Sequence, residues 1–124
     1  MIGYTLVGTN DLEKSKAFYD AVLGELGGKR TMSSDRMQGW SNGQSPVMFG
    51  ICKPYDDKPA THGNGTMISL AAASKDAVGK AYAKALSLGA KDEGAPGPRG
   101  DSGFYAGYFR DADGNKLCVF TMAR

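Results

Sequence analysis

The chain has 124 residues, 41% of them hydrophobic, which suits one domain or two small modules sharing a core. Its 15 basic and 13 acidic residues leave a net charge of +2 and are scattered, which excludes the clustered basic footprint of a nucleic-acid binder. No apolar run approaches the about 20 residues that span a bilayer and no signal-peptide pattern opens the chain, so a cytoplasmic protein with no membrane partner is expected.

Residues 2–8 (IGYTLVG) predict a strand with Ile2, Tyr4 and Leu6 on one face and Thr5 and Val7 on the other. Thr9 and Asn10 are helix-capping types, and Asp11 and Glu13 place negative charge where a helix dipole favours it. An amphipathic helix follows over 12–26, with Leu12, Tyr19, Val22, Leu23 and Leu26 on one side, and Gly27-Gly28 stops it. Residues 29–33, 37–40 and 47–52 read as three strands; Asn42-Gly43 marks the clearest hairpin turn.

Residues 54–65 break the pattern. They carry prolines, glycines and no periodicity, and form a linker that is long for a compact domain. The pattern then restarts: a strand over 66–72, a helix over 75–88 capped by Ser74 and stopped by Gly89, a short strand over 90–94, a loop over 95–102, and a final hairpin of 103–110 and 116–122. The helix ends even match, as Leu26-Gly27-Gly28-Lys29 and Leu88-Gly89-Ala90-Lys91. The chain therefore reads as a duplication, with module one at 1–53 and module two at 66–124. Asp111-Ala112-Asp113-Gly114-Asn115 is turn chemistry, and 117–122 is apolar on both faces, so something packs on each side of the last strand. Cys52 and Cys118 sit in strands and are expected as buried reduced thiols.

Three passages resemble the vicinal oxygen chelate superfamily of glyoxalase I, bleomycin-resistance proteins and extradiol dioxygenases. They are Thr9–Tyr19 (TNDLEKSKAFY), Gly65–Leu70 (GTMISL) and Arg110–Leu117 (RDADGNKL), and together with the duplication they span the chain. The resemblance implies an α+β fold: two βαβββ modules whose mostly antiparallel strands curve around a cleft, with the helices outside. Family members commonly pair as homodimers, which is expected here too.

Metal-using members of that superfamily hold a divalent ion with His, Glu and Gln side chains on the inner face. The resemblance maps those positions onto Tyr4, Gly50 or Ile51, Met67 and Cys118. Tyrosine ionises only near pH 10, and methionine and cysteine are soft ligands, so no metal site and no cofactor are expected. The only histidine, His62, lies in the linker. The inner face is expected to be lined by Tyr4, Trp40, Phe49, Met67, Tyr105, Tyr108, Cys118 and Phe120, with His62 and Arg99 at the cleft mouth. Periodicity leaves open which of Tyr105 and Tyr108 faces inward. Such a wall suits a small flat or apolar ligand. The function expected is that of a metal-free binding protein for a small organic molecule. The alternative is a glyoxalase-related lyase or isomerase, or a dioxygenase-like enzyme, with a divergent site in which Tyr4, His62 or Cys118 would move protons; no catalytic residue is assigned. A third reading fills the cleft with the protein's own side chains and leaves an interaction module.

Overall fold

The computed structural model describes residues 1–122; the last two positions of module two lie outside them. Two capped helices frame the fold. The Asp11 carboxylate accepts the Lys14 N–H at 3.1 Å and so is itself the cap of α1 (Leu12–Gly24), while Ser74 accepts from Ala77 at the start of α2 (Lys75–Ser87). Thr9 and Asn10, also capping types, have other partners: Thr9 exchanges bonds with Asp11, and Asn10 holds both polar groups of Ala60 in the linker.

Eight strands complete the molecule: β1 (Tyr4–Gly8), β2 (Lys29–Ser33), β3 (Met37–Ser41), β4 (Met48–Cys52), β5 (Ile68–Ala71), β6 (Lys91–Pro98), β7 (Tyr105–Arg110) and β8 (Lys116–Thr121). They form two four-stranded mixed sheets with the same topology, β1-β4-β3-β2 and β5-β8-β7-β6. In each, the first strand runs parallel to the last, as a helical crossover requires, and the remaining pairs are antiparallel. The architecture is thus two βαβββ modules. Each helix covers one face of its sheet. Tyr19, Val22 and Leu23 of α1 meet Trp40, Phe49 and Ile51; Val78, Ala81 and Ala85 of α2 meet Phe109, Leu117 and Val119. All are buried in one continuous core, and each large member contributes about 1.5–3 kcal/mol by leaving water.

The modules are stitched where β1 ends. Tyr19 donates its hydroxyl to Asp111 at 2.6 Å, Asn115 donates its amide to the Gly8 carbonyl at 2.9 Å, and the Asn10 N–H donates to Asp113 at 2.8 Å. The 111–115 turn that makes these bonds is held by Asp111, whose carboxylate also accepts the N–H groups of Asp113 and Asn115.

Some boundaries differ from the sequence reading. β6 runs on to Pro98, through a stretch expected as loop. It is an edge strand with two register shifts against β7, and an edge accommodates Pro96 and Pro98 because it need not donate on its outer side. β1 begins at Tyr4, β5 at Ile68 and β7 at Tyr105, each later than periodicity suggested.

Candidate functional site

Each sheet has a second face that no helix covers. On the first sheet, alternation places Tyr4, Leu6, Gly39, Met48 and Gly50 there, because Tyr4 pairs with Met48, Leu6 with Gly50, and Gly50 with Gly39. The two glycines are covered by their neighbours. A Cβ on Gly39 would collide with the Met48 thioether, and one on Gly50 would stand 2.7 Å from Leu6 Cδ2. Tyr4 and Leu6 remain 63% and 40% exposed, which is unusual for large apolar side chains in mid-sheet.

On the second sheet the open face carries Ser69, Tyr108, Lys116, Cys118 and Phe120, since Ser69 and Tyr108 both pair with Cys118. Met67 precedes β5 on the same face and is 42% exposed. Phe120 stacks on Phe104 with ring centroids 5.5 Å apart. The Arg99 guanidinium and the Lys116 ammonium lie 5.4 and 5.7 Å from the centre of the Tyr108 ring. Burial, together with the neighbouring Cys118 thiol and against the Arg99 charge, pushes the Tyr108 hydroxyl above its ordinary pKa, so it is a neutral phenol.

Sequence reasoning grouped Trp40, Phe49 and Tyr105 with these residues, and the register corrects that. Phe49 pairs with Thr5 and with Trp40, and all three point to the helix side, where Tyr19 packs on Trp40 and Phe49 at centroid distances of 5.8 and 5.0 Å. Trp40 donates its indole N–H to Asp20 on α1. Tyr105 alternates with Tyr108 and lies under α2, with Lys75 5.4 Å from its ring. Tyr108 is therefore the tyrosine of the open face. Cys118 is on that face too but is completely buried, so it lies beneath the wall rather than on its surface. Both thiols are free, but Cys52 is half-buried rather than buried as expected.

Trp40 and Phe49 instead line a cavity of about 520 Å³ along the seam between the modules. Its other walls are Leu23 of α1, Leu26 just after that helix, the start of β4, and the unpaired edge of β5 from Ile68 to Ala71, with Met67 at one end. The lining is mostly apolar. His62, exposed in the linker, packs its ring onto Gly114, at the stitched end of the seam. Gly114 has φ +85°, so only glycine suits both the turn and the histidine against it. No hydrogen bond joins Tyr4, His62 and Cys118 to one another among the described residues.

The metal positions can be tested against this geometry. Gly50 has its side-chain space taken by Leu6, Cys118 is sealed, and Tyr4 and Met67 offer a phenol oxygen and a thioether. Among the described residues, no three His, Cys, Asp or Glu side chains stand close enough to share an ion. This donor set does not fit the hard divalent cation of metal-using members. Sequence reasoning did not single out Leu6, Phe104 or Lys116 as lining. Lys116 shares its parity with Cys118 and Phe120, a signal that was available; the Phe104 stack on Phe120 comes from a loop and had none.

Among the described residues no helix is long and apolar enough to cross a membrane. The sequence matches the profile of the Glyoxalase/Bleomycin resistance protein/Dioxygenase superfamily over residues 1–119. Solved structures agree. A glyoxalase/bleomycin resistance protein from Albidiferax ferrireducens T118 is 38% identical, with a TM-score of 0.89 and 98% of each chain covered. A glyoxalase/bleomycin resistance protein/dioxygenase family enzyme from Burkholderia phytofirmans PsJN is 20% identical, with a TM-score of 0.76 and 98% of each chain covered. A putative glyoxalase from Bacillus halodurans is 22% identical, with a TM-score of 0.76 and 98% of this chain against 95% of that one covered. No protein of curated function matches the chain.

Proposed function

We propose a function from one premise: the chain belongs to the glyoxalase/bleomycin resistance protein/dioxygenase superfamily. Within it, this protein is a binding protein for a small organic molecule, held by ring and sulfur contacts on the open sheet faces rather than by a metal. The observation that carries this reading is the fate of the four metal positions: Tyr4, Met67, a glycine filled by Leu6, and a buried Cys118. With no cation to polarise a substrate oxygen, what remains is a wall of Tyr108, Phe120, Tyr4 and exposed methionine, which gains affinity by covering apolar surface. The same reading has a cytoplasmic homodimer. Its support is that β1 is the unpaired end of its sheet and carries the exposed Tyr4 and Leu6, an arrangement favouring a second copy.

A second location for the ligand is the seam cavity, whose volume lies in the range of small-molecule pockets. One experiment separates the two. Purified protein is screened with flat aromatic compounds by thermal shift, and hits are titrated while tryptophan emission is followed. Trp40 is the only tryptophan, lines the seam, and is 2% exposed. A hit on the open faces raises Tm with concentration and leaves Trp40 emission unchanged; a hit in the seam changes both. The enzymatic alternative, a glyoxalase-like lyase, is checked with methylglyoxal and glutathione after incubation with nickel or zinc. Turnover with stoichiometric bound metal would replace the binding reading.

A further inference from the structure

We propose that the ligand of the second sheet's open face is a small organic anion, its carboxylate-type group taken by Arg99 and Lys116 beside the Tyr108 hydroxyl. This deepens the binding function above and rests on it. Three features converge. First, two cations share one ring. Arg99 and Lys116 both lie within 6 Å of the Tyr108 centroid, and among the described residues neither has a carboxylate at ion-pair distance. Two cations without a carboxylate partner leave an excess of positive charge around that ring, which favours an anion.

Second, Arg99 is positioned rather than free. Its guanidinium donates to the carbonyls of Ala95 at 2.7 Å and Pro98 at 3.3 Å. It occupies space that β6 leaves by using glycine: a Cβ on Gly94 would stand 3.3 Å from Nη2, and one on Gly97 3.1 Å from Nη1. A guanidinium fixed in this way loses little entropy on taking a carboxylate, and its remaining N–H groups are donors matched to one. Third, the surrounding charge is one-sided. Glu93 is the acidic group whose carboxyl Lys116 influences, and it is already paired with Arg110. Lys91, Arg110 and Lys116 thus surround that one carboxylate. Phe120 on Phe104, one side-chain step of about 7 Å along β8, offers a flat apolar surface for the body of the same molecule.

The test uses matched probes that differ only in charge: 2-naphthoate against 2-naphthamide, and benzoate against benzamide, titrated calorimetrically into the full chain. The acid is expected to bind about tenfold or more tightly than its amide, the discrimination of a charge-assisted bond over a neutral one. Arg99→Gln and Lys116→Gln are expected to bring acid and amide within about twofold of each other by weakening the acid, with an unchanged far-ultraviolet spectrum. Amides binding as well as acids would overturn the anion proposal and leave the binding function standing. So would an acid preference that survives both substitutions. Binding by neither member of either pair at millimolar concentration would overturn both.

Discussion

Replacing Tyr19 with phenylalanine removes one oxygen atom from the centre of the molecule. The side chain is wholly buried, and its hydroxyl donates to the Asp111 carboxylate at 2.6 Å, joining α1 of the first module to the β7–β8 turn of the second. A hydrogen bond to a charged group contributes about 1.5–3 kcal/mol. The lower half of that range is expected here, because Asn115 still donates to the same carboxylate oxygen at 3.0 Å after the hydroxyl is gone. Urea unfolding of Tyr19→Phe should therefore show about 2 kcal/mol less stability with an unchanged slope. The same residue carries a pH signature. Burial first, then the charge of Asp111 and its bond, raise the Tyr19 pKa well above that of a free phenol. A raised folded pKa means that the stabilisation is complete below the unfolded value, about pH 10, and is lost as pH rises beyond it. Wild-type stability should fall above pH 10, and Tyr19→Phe should fall less steeply. Tyr82 and Tyr108, which are also shifted upward, leave some slope in the variant. A loss below about 0.5 kcal/mol on the scale of that hydrogen bond, or an identical alkaline slope, would refute the view that this bond couples the modules.

Three further outcomes follow from other contacts. Asp20 is held below the usual carboxylate range chiefly by Arg30, which it meets at 2.8 and 2.9 Å, and also accepts from Trp40. A depressed folded pKa gives stability that is present above about pH 4 and lost as pH falls through the folded value. Because the pair is 42–47% exposed, Asp20→Asn should cost about 0.5 kcal/mol at neutral pH, flatten the acid limb and shift Trp40 emission; an unchanged spectrum would count against the indole bond. Gly114→Ala should lose about 2 kcal/mol from left-handed backbone and the clash with His62 together, and His62→Ala in the same chain should restore only the steric share, as measured by thermal unfolding. Gly50→Ala should cost about 1–3 kcal/mol as an overpacked site, and Leu6→Ala should relieve it; additive costs would show that Leu6 does not fill that space.

The turn at 111–115 was legible because its chemistry is local. Asp111 bonds N–H groups two and four residues away, and such short-range bonds are encoded by residue type and spacing alone. The duplication was legible for the same reason, since caps, glycine stops and apolar periods recur in order. Trp40 and Phe49 fall on the opposite sheet face from the one expected, because their orientation depends on register. Given Tyr4 on the open face, Thr5 must point to the helix, and the pairing of Thr5 with Phe49 and of Phe49 with Trp40 then fixes both. Nothing in the spacing of three separated strands states that pairing. Tyr105 and Tyr108 differ by three positions and so fall on opposite faces, yet choosing between them required knowing that Phe109 is core. Arg99 lies beyond two register shifts in β6, so its approach to Tyr108 could not be read from alternation at all.

The aromatic residues divide in a way that bears on affinity. Tyr19, Trp40, Phe49 and Phe109 are locked against helices, where they stabilise the fold and cannot respond to a ligand through the open face. What the open faces retain is smaller and softer: one exposed tyrosine, two methionine side chains, a stacked phenylalanine pair and a phenol between two cations. Apolar contact of that extent is weak for a small molecule unless something fixes its orientation, because burial is non-directional. In metal-using relatives an ion would supply the direction. Here the side-chain space at Gly50 is filled and Cys118 is sealed, so restoring a single ligand by substitution would not rebuild an ion site. Under the anion proposal direction comes from charge fixed on the wall itself, and Arg99, clamped by two backbone carbonyls in a glycine gap, provides it.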